Sequence, residues 1–183
     1  MRLFIAVNFC DEVKNRLIEL QEQLRAQAVK GNFTRPENLH LTLAFLGETP
    51  EEKMEDLFRI LEGIRTPSPF EIVFSRTGRF THSRKDLWWI GSDPDDPGLP
   101  LLKAIHGQLL CRLEEEGFAA DKRPFNAHIT LGREVKSLRP VLLDNPEIMV
   151  RVNRISLMKS EHSRSVLTYT ELFARELKNQ PDS

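Results

Sequence analysis

Two tetrapeptides with the same order of residue types, His40-Leu41-Thr42-Leu43 and His128-Ile129-Thr130-Leu131, lie one in each half of the chain. Side chains alternate across a strand, so in extended backbone each His shares a face with its Thr while the aliphatic residues take the other face. Two imidazoles facing one groove can divide acid and base work, because an imidazole ionises near pH ~6.5 and modest environmental shifts leave one ring neutral and the other protonated. On a phosphodiester, the neutral ring takes a proton from the attacking oxygen and the imidazolium protonates the oxygen that leaves on the far side of phosphorus. The Thr42 and Thr130 hydroxyls would then meet the non-bridging oxygens as charge builds there. This chemistry calls for no metal and no cofactor. A catalytic zinc site would need three ligands, usually with a close-spaced His or Cys pair, and the spacings here offer none.

One His-x-Thr on a strand is ordinary packing, but the pair is not. With nine threonines and five histidines in 183 residues, two such pairs arise by chance roughly once in 40 sequences, before the aliphatic positions are required as well. The elements that must position them can be read from periodicity. Residues 2 to 9 form an apolar strand, and the following segment repeats Val13, Leu17, Leu20, Leu24 and Ala28 at helical spacing, with Lys30-Gly31 as its stop. The strand around His40 comes next. Thr49, Pro50 and Glu52 read as N-cap, first turn and capping box of a second helix. Strands at 70–80 and 87–91 flank the basic stretch "RFTHSRKD", and "SDPDDPGLP" at 92–100 is turn chemistry that is expected to divide two lobes. A helix over 101–117, the strand "FNAHITLGR" and two final strands, "MVRVNRISLMKS" and "SVLTYTELFARE", complete the chain.

The expected fold is therefore α+β, a single bilobal domain over residues 1–183, with two pseudo-symmetric lobes of antiparallel sheet carrying the motifs at 40–43 and 128–131. Lys plus Arg number 26 against 27 Asp plus Glu, a net charge of −1, so an anionic partner must be met by a local patch rather than a global field. Two cysteines provide no disulfide framework, and the N-terminus shows neither a membrane span nor a signal-peptide pattern. Cytoplasm, no membrane association, no obligate protein partner and a monomer are the expectations.

With these residues in hand, the chain resembles the 2H phosphoesterase superfamily, and within it the LigT-like RNA 2′,3′-cyclic phosphodiesterases, historically called RNA 2′-5′ ligases. The resemblance rests on both His-x-Thr-x motifs, on "RPENLHLTLAFLGE", on the opening "RLFIAVNF" and on "YTEL" near the C-terminus. It implies outer helices, a central cleft between the lobes, and hydrolysis of a terminal 2′,3′-cyclic phosphate on RNA or a nucleotide to a 2′-phosphate, with 2′-5′ joining as the reverse reaction. It also implies His40 and His128 as the acid–base pair, with His128 activating water and His40 protonating O3′. Thr42 and Thr130 would sit on the phosphate, Phe45 would stack on the base, and Arg133 would lie near the phosphate. Strict alternation points Phe45 and Arg133 away from the histidine face, so those two assignments require a bulge or the strand's end. One position departs from the family, which usually has Pro before the second His where this chain has Ala127.

Other residues admit plainer readings. Arg79, His82, Arg84 and Lys85 form a basic stretch suited to RNA phosphates or simply to solvent. Of Trp88 and Trp89, on opposite strand faces, at most one serves as a stacking platform. His106 reads as core edge, His162 as a loop residue, and Tyr169 equally as a cleft lining or a buried ring. The competing functions are a related 2H enzyme acting on ADP-ribose cyclic phosphate or 2′-5′ oligoadenylate, and a non-catalytic nucleotide- or RNA-binding module.

Overall fold

The computed structural model describes residues 1–82, 85–119, 123–144, 146–163 and 166–178. Nine strands and three helices alternate along the described chain: β1 (Arg2–Asn8), α1 (Asp11–Gln27), β2 (Lys30–Phe33), β3 (His40–Glu48), α2 (Met54–Gly63), β4 (Phe70–His82), β5 (Lys85–Ser92), α3 (Leu99–Glu115), β6 (His128–Lys136), β7 (Ile148–Val152), β8 (Arg154–Ser163) and β9 (Val166–Glu176). They build one antiparallel sheet in the order β7-β4-β5-β6-β3-β1-β8-β9, with β2 added alongside β6. Only Asn153 separates β7 from β8, yet five strands lie between them in the sheet. The sheet must therefore curl into a half-barrel.

One face of the sheet buries a continuous apolar core against the helices. Leu3, Ile5 and Val7 of β1, Leu41 and Leu43 of β3, and Ile129 and Leu131 of β6 are all nearly inaccessible and meet the apolar stripe of α1 and α3. The opposite face carries the histidines and a small separate cluster of Phe4, Ala6, Met158 and Tyr169. At the centre, β3 and β6 pair only at Leu41↔Ile129. The sheet opens on either side of that contact, and the cleft lies there. Among the described residues, no helix is long and apolar enough to cross a membrane.

Three local expectations are corrected. The turn at 92–100 does not divide the lobes: one half of the sheet is β3, β1, β8 and β9, the other β6, β5, β4 and β7, so each draws on both ends of the chain. Helices cross over as well, with α1 from the first half packing on β6 and β7, and α3 from the second half on β3. Thr49 does not cap α2, because its hydroxyl donates to the Gly47 carbonyl and its N–H donates to Met1 O. A 3-10 turn at Glu51–Lys53 intervenes before the helix begins. The Lys30-Gly31 stop is absent: α1 ends at Gln27, and Lys30 to Phe33 instead pair with β6.

Candidate active site

The two motifs meet across the β3–β6 contact. With Leu41 opposite Ile129 in an antiparallel pair, His40 falls opposite Thr130 and His128 opposite Thr42. The two histidines are then diagonal neighbours, about 7–8 Å apart in regular geometry. All four polar residues line one cleft of about 640 Å³. The run at 40–43 packs through Leu41 and Leu43 and presents His40 and Thr42 to the cleft.

Each ring is held in the same way. His40 Nδ1–H donates to the carbonyl of Asn38 at 2.7 Å, and His128 Nδ1–H to that of Asn126 at 2.8 Å. A carbonyl oxygen only accepts, which assigns the proton to Nδ1 and leaves Nε2 of each neutral ring as a lone pair. Ala127 in place of the family proline leaves this arrangement intact at the second motif. Beyond that the rings differ. His40 Nε2 lies 2.9 Å from Thr42 Oγ1, whereas among the described residues His128 Nε2 has no hydrogen-bond partner. Tyr169 meets the His40 ring edge-on at 5.2 Å and Phe4 lies 4.9 Å away, while Phe80 meets the His128 ring edge-on at 5.4 Å.

Burial pushes the His40 imidazole below its ordinary 6.5; the Asn38 carbonyl pulls it partly back, and the charges of Arg133 and His128 add to the depression. Burial likewise lowers His128, opposed by the Asn126 carbonyl and reinforced by Arg133. Both rings are thus biased to the neutral form in the free site. An anion placed between them acts in the opposite direction and restores a proton to one.

Phe45 and Arg133 also reach the cleft, and a pair of matched bulges explains how. The β1–β3 register slips between Ile5 and Ala6, so Leu43 has no partner of its own, and the β5–β6 register slips between Trp88 and Trp89, so Leu131 has none. In both strands the residues on either side of the slip, Leu43-Ala44 and Leu131-Gly132, are buried consecutively. Alternation restarts one residue late, and Phe45 and Arg133 turn to the histidine face. Phe45 is 52% exposed there, free to present its ring to a ligand. Among the described residues Arg133 makes no ion pair, nor does Arg2 at the cleft rim, and no carboxylate lines the cleft.

Several groups escaped the sequence reading. Asn38 and Asn126 hold the rings through backbone carbonyls; the signal was present, since both motifs read Asn-x-His-x-Thr. Buried Gln21 of α1 donates to the carbonyls of Leu131 at 2.6 Å and Thr34 at 2.8 Å, clamping the β6 bulge. It sits within the apolar stripe of α1, where a polar residue is itself a cue. His162 belongs to β8 and lines the cleft, so it is not the loop residue expected; Tyr169 lines the cleft too. His106 stacks on Phe125 at 4.2 Å, away from the site. In the basic stretch, Arg79 is paired with Asp86 at 3.0 Å, and Arg84 and the side chains of His82 and Lys85 lie outside the described residues.

Fold and site together define a class: a two-histidine phosphoesterase, its paired His-x-Thr motifs facing one cleft of a curled antiparallel sheet. Comparison with known proteins agrees. Residues 7–89 match the LigT-like phosphoesterase family model, a span that includes the first motif and stops short of the second. The chain is 35% identical over 146 residues to the RNA 2′,3′-cyclic phosphodiesterase of Archaeoglobus fulgidus, covering 79% of this chain and 78% of that one. It is 30% identical to the RNA 2′,3′-cyclic phosphodiesterase of Escherichia coli, covering 93% of each. Among solved structures, E. coli LigT complexed with 3′-AMP superposes with a TM-score of 0.80 at 28% identity, over 96% of this chain and 97% of that one. The chain belongs to the LigT-like phosphoesterase family.

Proposed function

We propose that this protein hydrolyses the 2′,3′-cyclic phosphate of an RNA end or a nucleotide to a 2′-phosphate, with the two histidines as base and acid. The observation that carries the reading is the matched anchoring of both rings, each Nδ1 on a carbonyl, in a cleft lined by arginines and by no described carboxylate. That the relatives named above are RNA 2′,3′-cyclic phosphodiesterases, and that one neighbour binds 3′-AMP, supports the same substrate class.

In the proposed step, water attacks phosphorus and gives its proton to Nε2 of His128, which has no competing partner in the described structure. The P–O3′ bond breaks, and O3′ takes a proton from Nε2 of His40. That proton has a resting acceptor in Thr42 Oγ1 at 2.9 Å, which suits His40 to the imidazolium role. Thr42, Thr130 and Arg133 receive the non-bridging oxygens, and Phe45 stacks on the terminal base. With the 5′-hydroxyl of a second RNA in place of water, the same base and acid form P–O5′ as P–O3′ breaks, which gives 2′-5′ joining; by microscopic reversibility they also cleave that linkage back to the cyclic phosphate. Both motifs come from one chain, which fits a monomer, and the two free, exposed cysteines fit a reducing cytoplasm.

The test is incubation of the purified protein, with EDTA present, with a short RNA ending in 2′,3′-cyclic phosphate, beside His40→Ala and His128→Ala. Ring opening seen as the gain of one water by mass, with phosphatase and RNase treatments revealing a 2′-phosphate, is expected and should be lost in each variant. An intact cyclic end would overturn the assignment and direct attention to ADP-ribose cyclic phosphate, 2′-5′ oligoadenylate or a purely binding role.

A further inference from the structure

The cleft described above accounts for one face of each histidine. On the far side of His128 lies a second recess of about 270 Å³, lined among others by Arg76, Trp89, Lys103 and Asn126. Beside it the β4–β5 register slips between Phe74 and Arg76, which turns Arg76, Gly78 and Phe80 onto the histidine face; Arg76 lines the recess and Phe80 stands next to it through Trp89. Trp89 lies flat across Gly78. A Cβ at that position would stand 2.4 Å from the indole ring, so only glycine admits the ring there. Phe80, 40% exposed, packs on Trp89 with centroids 5.2 Å apart. The two rings thus form an aromatic ledge whose centroids stand 5.4 and 6.5 Å from that of His128.

The charged side chains that line the recess, Arg76 and Lys103, are both cations. Arg76 and Lys103 are exposed, neither makes an ion pair among the described residues, and no carboxylate lines the recess. The Trp89 Nε1–H is buried without an acceptor among the described residues. Aromatic rings flanked by unpaired cations are the elements with which proteins hold single-stranded nucleic acid, bases on the rings and phosphates on the cations. A 2′,3′-cyclic end has no continuation beyond its 3′ side. Any further nucleotide must extend from its 5′ oxygen, and the recess is the adjoining surface equipped to take it.

We propose that Phe80 and Trp89, with Arg76 and Lys103, form a second nucleotide subsite that binds the penultimate residue of a single-stranded RNA. The subsite lets the enzyme prefer polymer ends over mononucleotides. This rests on the cyclic phosphodiesterase reading of the His40/His128 site and extends it to substrate length.

The experiment compares kcat/KM for a mononucleoside 2′,3′-cyclic phosphate with that for a single-stranded tetranucleotide carrying the same end. Wild-type protein should favour the tetranucleotide by about tenfold or more, the scale of one base stacked on an aromatic ring. In Arg76→Gln/Lys103→Gln the mononucleotide rate should be unchanged, the preference should collapse toward unity, and the salt dependence of tetranucleotide binding should fall by about 0.7 per lost phosphate contact. Phe80→Ala should lose the preference and Phe80→Tyr retain it. A wild-type preference near unity, or one that survives these substitutions, overturns the subsite. Failure of the catalytic reading would look different: the wild type would cut neither substrate. The subsite is then judged by Trp89 fluorescence, whose quenching by the tetranucleotide but not the mononucleotide, lost in Phe80→Ala, supports it, and whose absence overturns it.

Discussion

His40 and His128 occupy equivalent places in two halves of one sheet, yet their surroundings differ. Both are fixed by a carbonyl two residues upstream and both are pushed toward neutrality by burial. His40 is further tied at Nε2 to Thr42 and enclosed by Phe4 and Tyr169, whereas His128 leaves Nε2 unpartnered and borders an aromatic ledge. The lesson is that a duplicated motif supplies two similar reagents, and non-equivalent neighbours give them different work. Acid–base catalysis needs that difference, since two imidazoles of identical protonation state could not act in sequence on opposite sides of one phosphorus.

The largest effects should come from the rings themselves. His40→Ala and His128→Ala should each lower kcat/KM by about 10³-fold, with the double variant little worse, because acid and base act as a unit. A substrate with sulfur at the bridging 3′ position sharpens the comparison, since a thiolate leaves without a proton. It should restore activity to His40→Ala and not to His128→Ala; rescue of the other variant would reverse the roles.

Next come Phe45 and Arg133, which the matched bulges place at corresponding positions of the two strands. Phe45→Ala should raise KM by about tenfold through lost stacking, with the pH profile unchanged. Arg133→Gln should cost about 10- to 100-fold, the worth of a charge-assisted contact. It should also move the acidic limb of kcat/KM to higher pH, because the guanidinium depresses both imidazoles. A profile that stays put would remove Arg133 from the electrostatics of the pair.

Smaller effects bear on the scaffold. Gln21→Leu would take the side-chain donor from the Thr34 carbonyl and one of two donors from the Leu131 carbonyl, which keeps the Thr34 N–H; it should destabilise the fold by about 1–3 kcal/mol, whereas the β3 bulge should be untouched. Stability should also depend on pH through the histidines. Their folded pKa values lie below the ordinary 6.5, so between those values the unfolded chain binds more protons than the folded one. That contribution is fully present above about pH 6.5 and is lost as pH falls below it, which denaturant melts at pH 7.5 and 5.5 would register. Replacing either histidine with Gln should flatten the difference.

Much of this was legible in the chain. The alternation of His and Thr with aliphatic residues determined which face of each strand would pack and which would face solvent or ligand, because the side-chain period of a strand is fixed by its backbone. The stripe Val13, Leu17, Leu20 and Leu24 determined α1 in the same way, and all four are buried. Long-range pairing was not legible. The turn at 92–100 looks like a lobe boundary, but β8 and β9 return from the chain's end to pair beside β1 and complete the His40 half of the sheet. Local composition carries no record of which strand a distant segment will join. The same holds for Phe45 and Arg133, whose strict alternation points them the wrong way. A bulge changes the register of a strand against its neighbours, and in β6 it is secured by Gln21 from a helix more than a hundred residues earlier. The sequence by itself settled the reagents; the tertiary structure decided that they meet, and how the two histidines came to differ, because burial and hydrogen bonding are properties of neighbours that only the folded sheet assembles.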